Sequence, residues 1–422
     1  MRFLLAPYRH VLKNLAWLSL ASAAVKPLWF AFITFGCARV LGADGYGAFN
    51  TALSLGALCF AFTGFGINQY TVREVAADPA VASRFFTNFV AFRVVAYALA
   101  ALAALVAAWL LDYDGRLILA VGLACLYQAA TSLREYAHSF FQAFERLRYQ
   151  AVSVVVEKVV VVALGLAALL VLGSVEGTIL GMSLGMVLTT GGAVWWVARH
   201  LAPLQRESLD RAFLVRSLRP LIPFGLLSLF GMFFFRVDTV MVEAIGGLTA
   251  AGQYGLAFRI VEALNLLPVL VAQAAAYPRM ARLAGAGTYG ELGSVVWATV
   301  GLLLLVSLPA ALAVALVADP LIGWISPDPQ LGPAAAALRV LAWSLPLTSL
   351  RSTLSFALLA LRDQRLLAWM LGLGVAFNIG LNLALIPQFG VQGAVYATLA
   401  SEACLLAAHA VRYRIRIRTL TT

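Results

Sequence analysis

Lys26, Arg134, Arg259 and Arg351 each interrupt a run of apolar residues long enough to be a helix. An ammonium or guanidinium held away from water accepts few partners. The guanidinium matches phosphate oxygens through paired hydrogen bonds, and desolvation strengthens the attraction. A cavity lined by these four cations fits an amphiphile with an anionic diphosphate head, and fits neither a simple sugar nor a lipophilic cation. Three acids, Asp238, Glu262 and Glu402, lie in similar surroundings and have the chemistry to take up H+ or Na+. Lys26 precedes Pro27, whose ring removes a backbone hydrogen bond and bends the helix that carries it. Arg134 and Arg351 each close a Thr-Ser-Leu-Arg quartet, 131–134 and 348–351.

The other charges inside apolar stretches are Arg93, Glu135, Glu157, Lys158, Arg236 and Arg339. One charge at a helix centre costs about 2.5 to 3.5 kcal/mol on insertion scales, so such groups face protein interior or a wet cavity. Local spacing predicts pairs of Glu135 with Arg134 or a neighbouring helix, Glu157 with Lys158, Asp238 with Arg236, and Arg259 with Glu262 one turn on. Arg93 and Arg339, within about two turns of a helix end, are expected to snorkel outward. Glu402 has no basic residue within a turn of its own helix.

Catalytic signatures are missing. Asp112-Tyr113-Asp114 spells D-x-D in a short loop and reads as a solvated turn, while His10, His138, His200 and His409 are scattered. There is no phosphate-cradling glycine loop and no H-E-x-x-H. The four cysteines, Cys37, Cys59, Cys125 and Cys404, have no close spacing that would make a disulfide framework or a metal site. An enzyme is not expected, and neither is a metal or an organic cofactor.

These charges need helices to hold them, and the composition supplies little else. Of 422 residues, 62% are hydrophobic and 12% charged, with a mean hydropathy of +0.91. Soluble domains carry about 25% charged residues, so this is an integral membrane protein. Spanning the bilayer takes about 20 helical residues, and the apolar runs give twelve spans. They cover 14–41, 47–71, 85–111, 116–142, 149–173, 176–199, 218–242, 251–277, 290–317, 334–361, 366–387 and 391–411. The first is too long for a cleaved signal sequence. Continuous rather than alternating apolar character excludes a β-barrel.

With the N-terminus in the cytoplasm, most of the 30 basic residues fall in inner segments, and only Arg39 and Arg116 fall in outer ones. That bias puts both termini inside. It also accounts for the net charge of +11 without nucleic acid. The connection 201–217 is basic and amphipathic and is read as a linker on the anionic inner leaflet, between lobes 1–200 and 218–422.

The lobes repeat each other. Tyr46-Gly47 matches Tyr254-Gly255, the two Thr-Ser-Leu-Arg quartets match, and Val175-Glu176-Gly177 matches Val391-Gln392-Gly393. Six spans separate each pair, so the halves have the same orientation, a parallel repeat about an axis along the membrane normal. Such an axis would bring Arg134 and Arg351 face to face.

Leu12-Lys13-Asn14-Leu15-Ala16-Trp17 and Ala38-Arg39-Val40-Leu41-Gly42-Ala43-Asp44-Gly45-Tyr46-Gly47-Ala48-Phe49 resemble the opening of the Wzx-type polysaccharide exporters of the MOP flippase superfamily. Gly64-Phe65-Gly66-Ile67 ahead of Val72-Arg73-Glu74 continues the resemblance, as do Arg236-Val237-Asp238-Thr239-Val240-Met241 and Gly252-Gln253-Tyr254-Gly255. It implies an all-α fold of two six-helix lobes, MATE-like, in the bacterial inner membrane. It also implies a flippase that moves undecaprenyl-diphosphate-linked oligosaccharide by alternating access, for O-antigen, capsule or exopolysaccharide. The implied partners are membrane lipids, a polymerase and other polysaccharide-assembly proteins, with the flippase itself a monomer. By helix, Lys26 and Arg259 are similar to basic residues of lipid II flippases. A cation-coupled exporter of small molecules and a membrane enzyme of glycan assembly are the alternatives.

Overall fold

The computed structural model describes residues 24–218 and 221–421, and their regular structure is helical throughout. The expected start of span 1 at residue 14 lies outside the described residues. Helix α1 (24–41), which includes a π-helical stretch at Ala31–Cys37, gives way to α2 (43–64) at Gly42, where φ is 66°. The same break recurs at Gly247, φ 82°, between α9 (222–246) and α10 (248–271). Glycine adopts this backbone without the penalty a Cβ would bring. The two breaks precede the matched Tyr-Gly anchors of the repeat.

Between them lie α3 (Ile67–Ala77), α4 (Ala82–Leu110), α5 (Gly115–Ala143), α6 (Leu147–Leu172), α7 (Val175–His200) and α8 (Arg211–Leu218). After α10 come a π-helical stretch at Ala272–Ala276, α11 (Tyr277–Ala286), α12 (Tyr289–Leu316), α13 (Ala318–Ile325), α14 (Ala334–Leu341), α15 (Ser344–Ala360), α16 (Gln364–Phe389) and α17 (Val391–Thr421). Among the described residues nine helices are long and apolar enough to cross a membrane, and a pair bent by 46°, Pro329–Leu341 with Ser344–Ala360, makes a tenth. Two of the nine, Ala24–Ala77 and Gly225–Leu266, contain the breaks at Gly42 and Gly247. Among the described residues the helices thus provide for twelve spans.

Three expected boundaries move for physical reasons. Span 2 stops at Gly64, because Phe65 (φ 27°) and Gly66 (φ 76°) turn the chain before the polar α3. Span 10 is split, since Pro346 in the first turn of α15 has no N–H to continue the ladder from α14. Helix α17 runs to Thr421, ten residues past the expected end at 411. Its arginines suit a helix C-terminus, and Arg412 bonds Asp363 at 2.9 Å.

The chain divides into two units, one holding the described chain to Leu41 and Ala52–Leu229, the other Gly42–Thr51 and the chain from Phe230 on. In unit 1, α6 and α7 approach closely at Gly181 and Gly185, where a Cβ would lie 2.4 Å from the Leu164 carbonyl oxygen and 2.9 Å from Val161 Cα. Small residues bring membrane helices together in this way. An aromatic core at one end joins Phe86, Phe89, Tyr136 and Phe140. In unit 2, Met280, Leu292, Leu354, Leu358 and Tyr413 form the corresponding core.

The connection after α7 is helical only at Arg211–Leu218, eight residues. Phe213 and Leu214 pack on the aromatic core of unit 1, with Phe213 5.0 Å from Phe85. Asn88 ties the preceding loop down, donating to Ser208 O at 2.6 Å and accepting from Asp210 N at 2.8 Å. The Phe213 N–H and the Arg84 guanidinium hold the Asp210 carboxyl below the usual carboxylate range.

Candidate functional site

In unit 1 the charges converge on the middle of α1, α5 and α6. Glu157 is fully buried; its oxygens lie 3.0 Å from Lys158 Nζ and 3.6 Å from an Arg134 nitrogen. The Lys158 ammonium sits 4.3 Å from the centre of the Trp29 ring, a cation–π contact. Lys26 is one turn before Trp29 on the same face of α1 and has no ion pair among the described residues. The π-helical turn follows directly at Ala31–Cys37, a local geometry often found where helices carry function. The expected Glu157–Lys158 pair forms. The Glu135–Arg134 pair does not, because Arg134 turns inward to Glu157.

Arg93 corrects the snorkelling expectation. It is fully buried, donating to Ser132 Oγ at 2.6 Å, Asn68 Oδ1 at 2.7 Å and Tyr97 OH at 3.2 Å, with its guanidinium 4.8 Å over the Tyr136 ring. Neutral acceptors take its two terminal nitrogens and a ring face covers it inside the bundle, with Nε left without an acceptor. Arg339 does reach outward, and pairs with Asp319.

Unit 2 balances its charges. Arg351 grips Glu402 with two nitrogens, at 2.6 and 3.1 Å, and lies 5.6 Å over Phe234. The partner missing from Glu402's own helix is supplied across helices. Arg259 pairs with Glu262 at 3.0 Å as its spacing predicts, and Arg236 joins it at 3.2 Å. Arg236 therefore does not pair with Asp238.

Asp238 instead stands in a neutral, buried network. Its Oδ2 accepts from Tyr254 OH at 2.9 Å and Thr398 Oγ1 at 2.8 Å, and its Oδ1 from Asn382 Nδ2 at 2.7 Å. Asn378 Oδ1 accepts a second bond from Asn382 at 3.1 Å. All five side chains are buried, and Asn382 Oδ1 is left without a hydrogen-bond donor. A buried carboxylate among neutral donors calls for a bound proton or cation to balance it. The oxygens of Asp238, Asn378, Asn382 and Thr398 are hard ligands of the kind that hold Na+ or another hard cation. Tallying charged residues alone passed over this group. Its signal was Asn378 and Asn382 at i, i+4 within an apolar span. Trp29 was likewise missed, although it lies one turn from Lys26.

Each basic residue read from the sequence as facing a cargo now has a location: Arg134 with Glu157 and Lys158 in unit 1, Lys26 one turn before the Trp29 that Lys158 contacts, and Arg259 and Arg351 on carboxylates of unit 2. The chain matches the family model described as "Polysaccharide biosynthesis protein" over residues 11–284, and therefore belongs to that family. A second model, MatE, matches 223–384.

Among curated proteins, the chain is 25% identical over 236 residues to the "Probable low-salt glycan biosynthesis flippase Agl15" of Haloferax volcanii, covering 56% of this chain. The match spans about half of that relative, 48%. In fold it is similar to an inward-facing multidrug resistance MATE family transporter of the MOP superfamily, with a TM-score of 0.79 at 17% identity, covering 93% of this chain and 94% of that one. It is also similar to the lipid II flippase MurJ in an inward closed conformation, with a TM-score of 0.71 at 12% identity, covering 96% and 89%. The fold is that of the MOP superfamily.

Proposed function

We propose that this protein flips undecaprenyl-diphosphate-linked oligosaccharide repeat units from the inner to the outer leaflet of a bacterial cytoplasmic membrane, for surface polysaccharide assembly. The observation that carries this reading is the cationic surplus in unit 1. Lys26, Arg93, Arg134 and Lys158 stand against Glu135 and Glu157, and the two terminal nitrogens of Arg93 are already taken by neutral acceptors. Lys26, Arg134 and Lys158 then receive the diphosphate, with Arg259 and Arg351 completing the path as the carboxylates beside them exchange for cargo. Membership of a polysaccharide biosynthesis family supports a glycan cargo, as does the likeness to the probable glycan biosynthesis flippase of Haloferax volcanii. The lobes 1–200 and 218–422 alternate access about the linker 201–217, both termini are cytoplasmic, and the flippase works as a monomer beside a polymerase.

Of the three acids, Glu262 and Glu402 are neutralised by arginines, which leaves Asp238 to take up the coupling ion, Na+ or H+. The test uses Lys26, a headgroup candidate with no ion pair among the described residues, so that its loss removes a partner from no carboxylate. Lys26→Gln should abolish movement of the lipid-linked glycan in proteoliposomes while the protein purifies with wild-type Tm. A wild-type flipping rate in that variant would refute the headgroup assignment.

A further inference from the structure

A cavity of about 790 Å³ lies on the outer side of unit 1, between α6 and α7. Val152, Val156 and Val160 line it from α6, Leu188 and Trp196 from α7, and Arg148 stands in the first turn of α6. We propose that this groove binds one anionic phospholipid of the inner leaflet, its phosphate on Arg148 and an acyl chain along the valines.

The groove faces the bilayer. At 100° per residue, Val152, Val156 and Val160 share one side of α6 and Lys158 lies on the opposite side, so the groove is separate from the charge cluster proposed to meet the cargo. Leu188 and Val152 are exposed by 65% and 57%, as lipid-facing side chains are. Length selects the occupant. From Arg148 to Val160 a helix rises about 18 Å, the depth of roughly one leaflet of a ~30 Å hydrocarbon core. A diacyl lipid of a single leaflet fills that length with its phosphate at the arginine.

The headgroup end is prepared for negative charge. Arg148 is exposed and has no ion pair or hydrogen bond among the described residues, while Arg146 packs on the Trp196 ring at 5.8 Å and His200 stacks on it at 4.8 Å. Tyr149 closes the aromatic cluster 4.4 Å from Trp196, and Trp and Tyr prefer this interfacial depth. The positive-inside bias puts this end in the cytoplasmic leaflet, where anionic lipids carry the negative surface potential.

The test is native mass spectrometry of the full chain, delipidated and re-exposed to equal phosphatidylglycerol and phosphatidylcholine. Wild type should retain phosphatidylglycerol about fivefold over phosphatidylcholine, the preference worth one arginine at the membrane surface. Arg148→Gln should bring the ratio to one, and Leu188→Trp should lower retention of both lipids by filling the groove. Equal retention by wild type, or an undiminished preference in Arg148→Gln, would overturn the proposal. So would displacement of phosphatidylglycerol by undecaprenyl phosphate in an Arg148-dependent manner, which would make the groove a cargo-tail site instead.

Discussion

Asp238→Asn separates a coupling site from a structural network with an isosteric change. The carboxylate takes three hydrogen bonds, from Tyr254, Thr398 and Asn382. An asparagine keeps the first two on its own Oδ1. Its new amide nitrogen faces Asn382, whose orphaned Oδ1 accepts it once that amide rotates. With each bond worth about 1 kcal/mol net, the three to residue 238 rebuilt and the Asn382–Asn378 bond given up in the rotation, the fold should lose about 1 kcal/mol. The negative charge that holds a cation is lost entirely. If Na+ binds the wild type at ten times its Kd, stabilisation is RT ln(1 + 10), about 1.4 kcal/mol. For a unit of roughly 150–250 residues, the size class of unit 2, that raises Tm by about 3–6 °C. Thermal melts in NaCl against choline chloride should show the rise in wild type and none in Asp238→Asn. A choline-to-potassium control identifies an ionic-strength effect. No Na+-specific rise in wild type, together with unimpaired glycan flipping by Asp238→Asn, would refute the reasoning. A transport rate that instead follows the pH gradient alone and is lost in the variant would assign the site to H+.

Two further outcomes follow from the charge pairs. Arg351→Leu strands Glu402, which has only 5% of its side chain exposed, and should destabilise the protein by about 3–5 kcal/mol; Arg351→Leu/Glu402→Leu should recover most of it, a difference that chemical denaturation reads directly. The linker responds to acid in a defined direction. Because Phe213 N–H and Arg84 depress the Asp210 carboxyl, its contribution to docking is complete above the ordinary carboxylate value of 3.8 and is lost as pH falls through the lower folded value. A spin label at Leu209 should hold constant mobility down to about pH 4 and loosen below it, whereas in Asp210→Asn the mobility should not change with pH.

The spans were legible in the sequence because a bilayer imposes one requirement, about 20 apolar residues in a helix, on every segment alike. The breaks were legible only in part. Gly42 and Gly247 stand beside repeat anchors, but the split between α14 and α15 depends on a proline whose effect a hydropathy window averages away. Pairing within one helix could be read from spacing, as with Arg259 and Glu262. Pairing across helices could not, because the distance from Arg351 to Glu402 along the chain says nothing of 2.6 Å between them. Asp238 and Arg93 show the same limit from the other side: residue types alone could not reveal that amides, hydroxyls and a tyrosine ring would take the place of counter-ions.

Those cross-helix partners change what the cationic surplus means. In unit 2 three arginines meet two carboxylates, Arg236 and Arg259 on Glu262 and Arg351 on Glu402, so an anionic headgroup there must displace a carboxylate from a guanidinium already well bonded. In unit 1 a single buried carboxylate, Glu157, is shared between Arg134 at 3.6 Å and Lys158 at 3.0 Å, and the rest of the Lys158 ammonium's company is an indole face. A diphosphate offers more charge than a ring and half a carboxylate, so Lys158 can turn to it while Arg134 keeps Glu157 neutralised. Lys26, one turn from Trp29 and unpaired among the described residues, gives up nothing to join it. On the function proposed above, the first contact with an anionic headgroup would therefore fall on α1 and α6, at two lysines, before any arginine is disturbed.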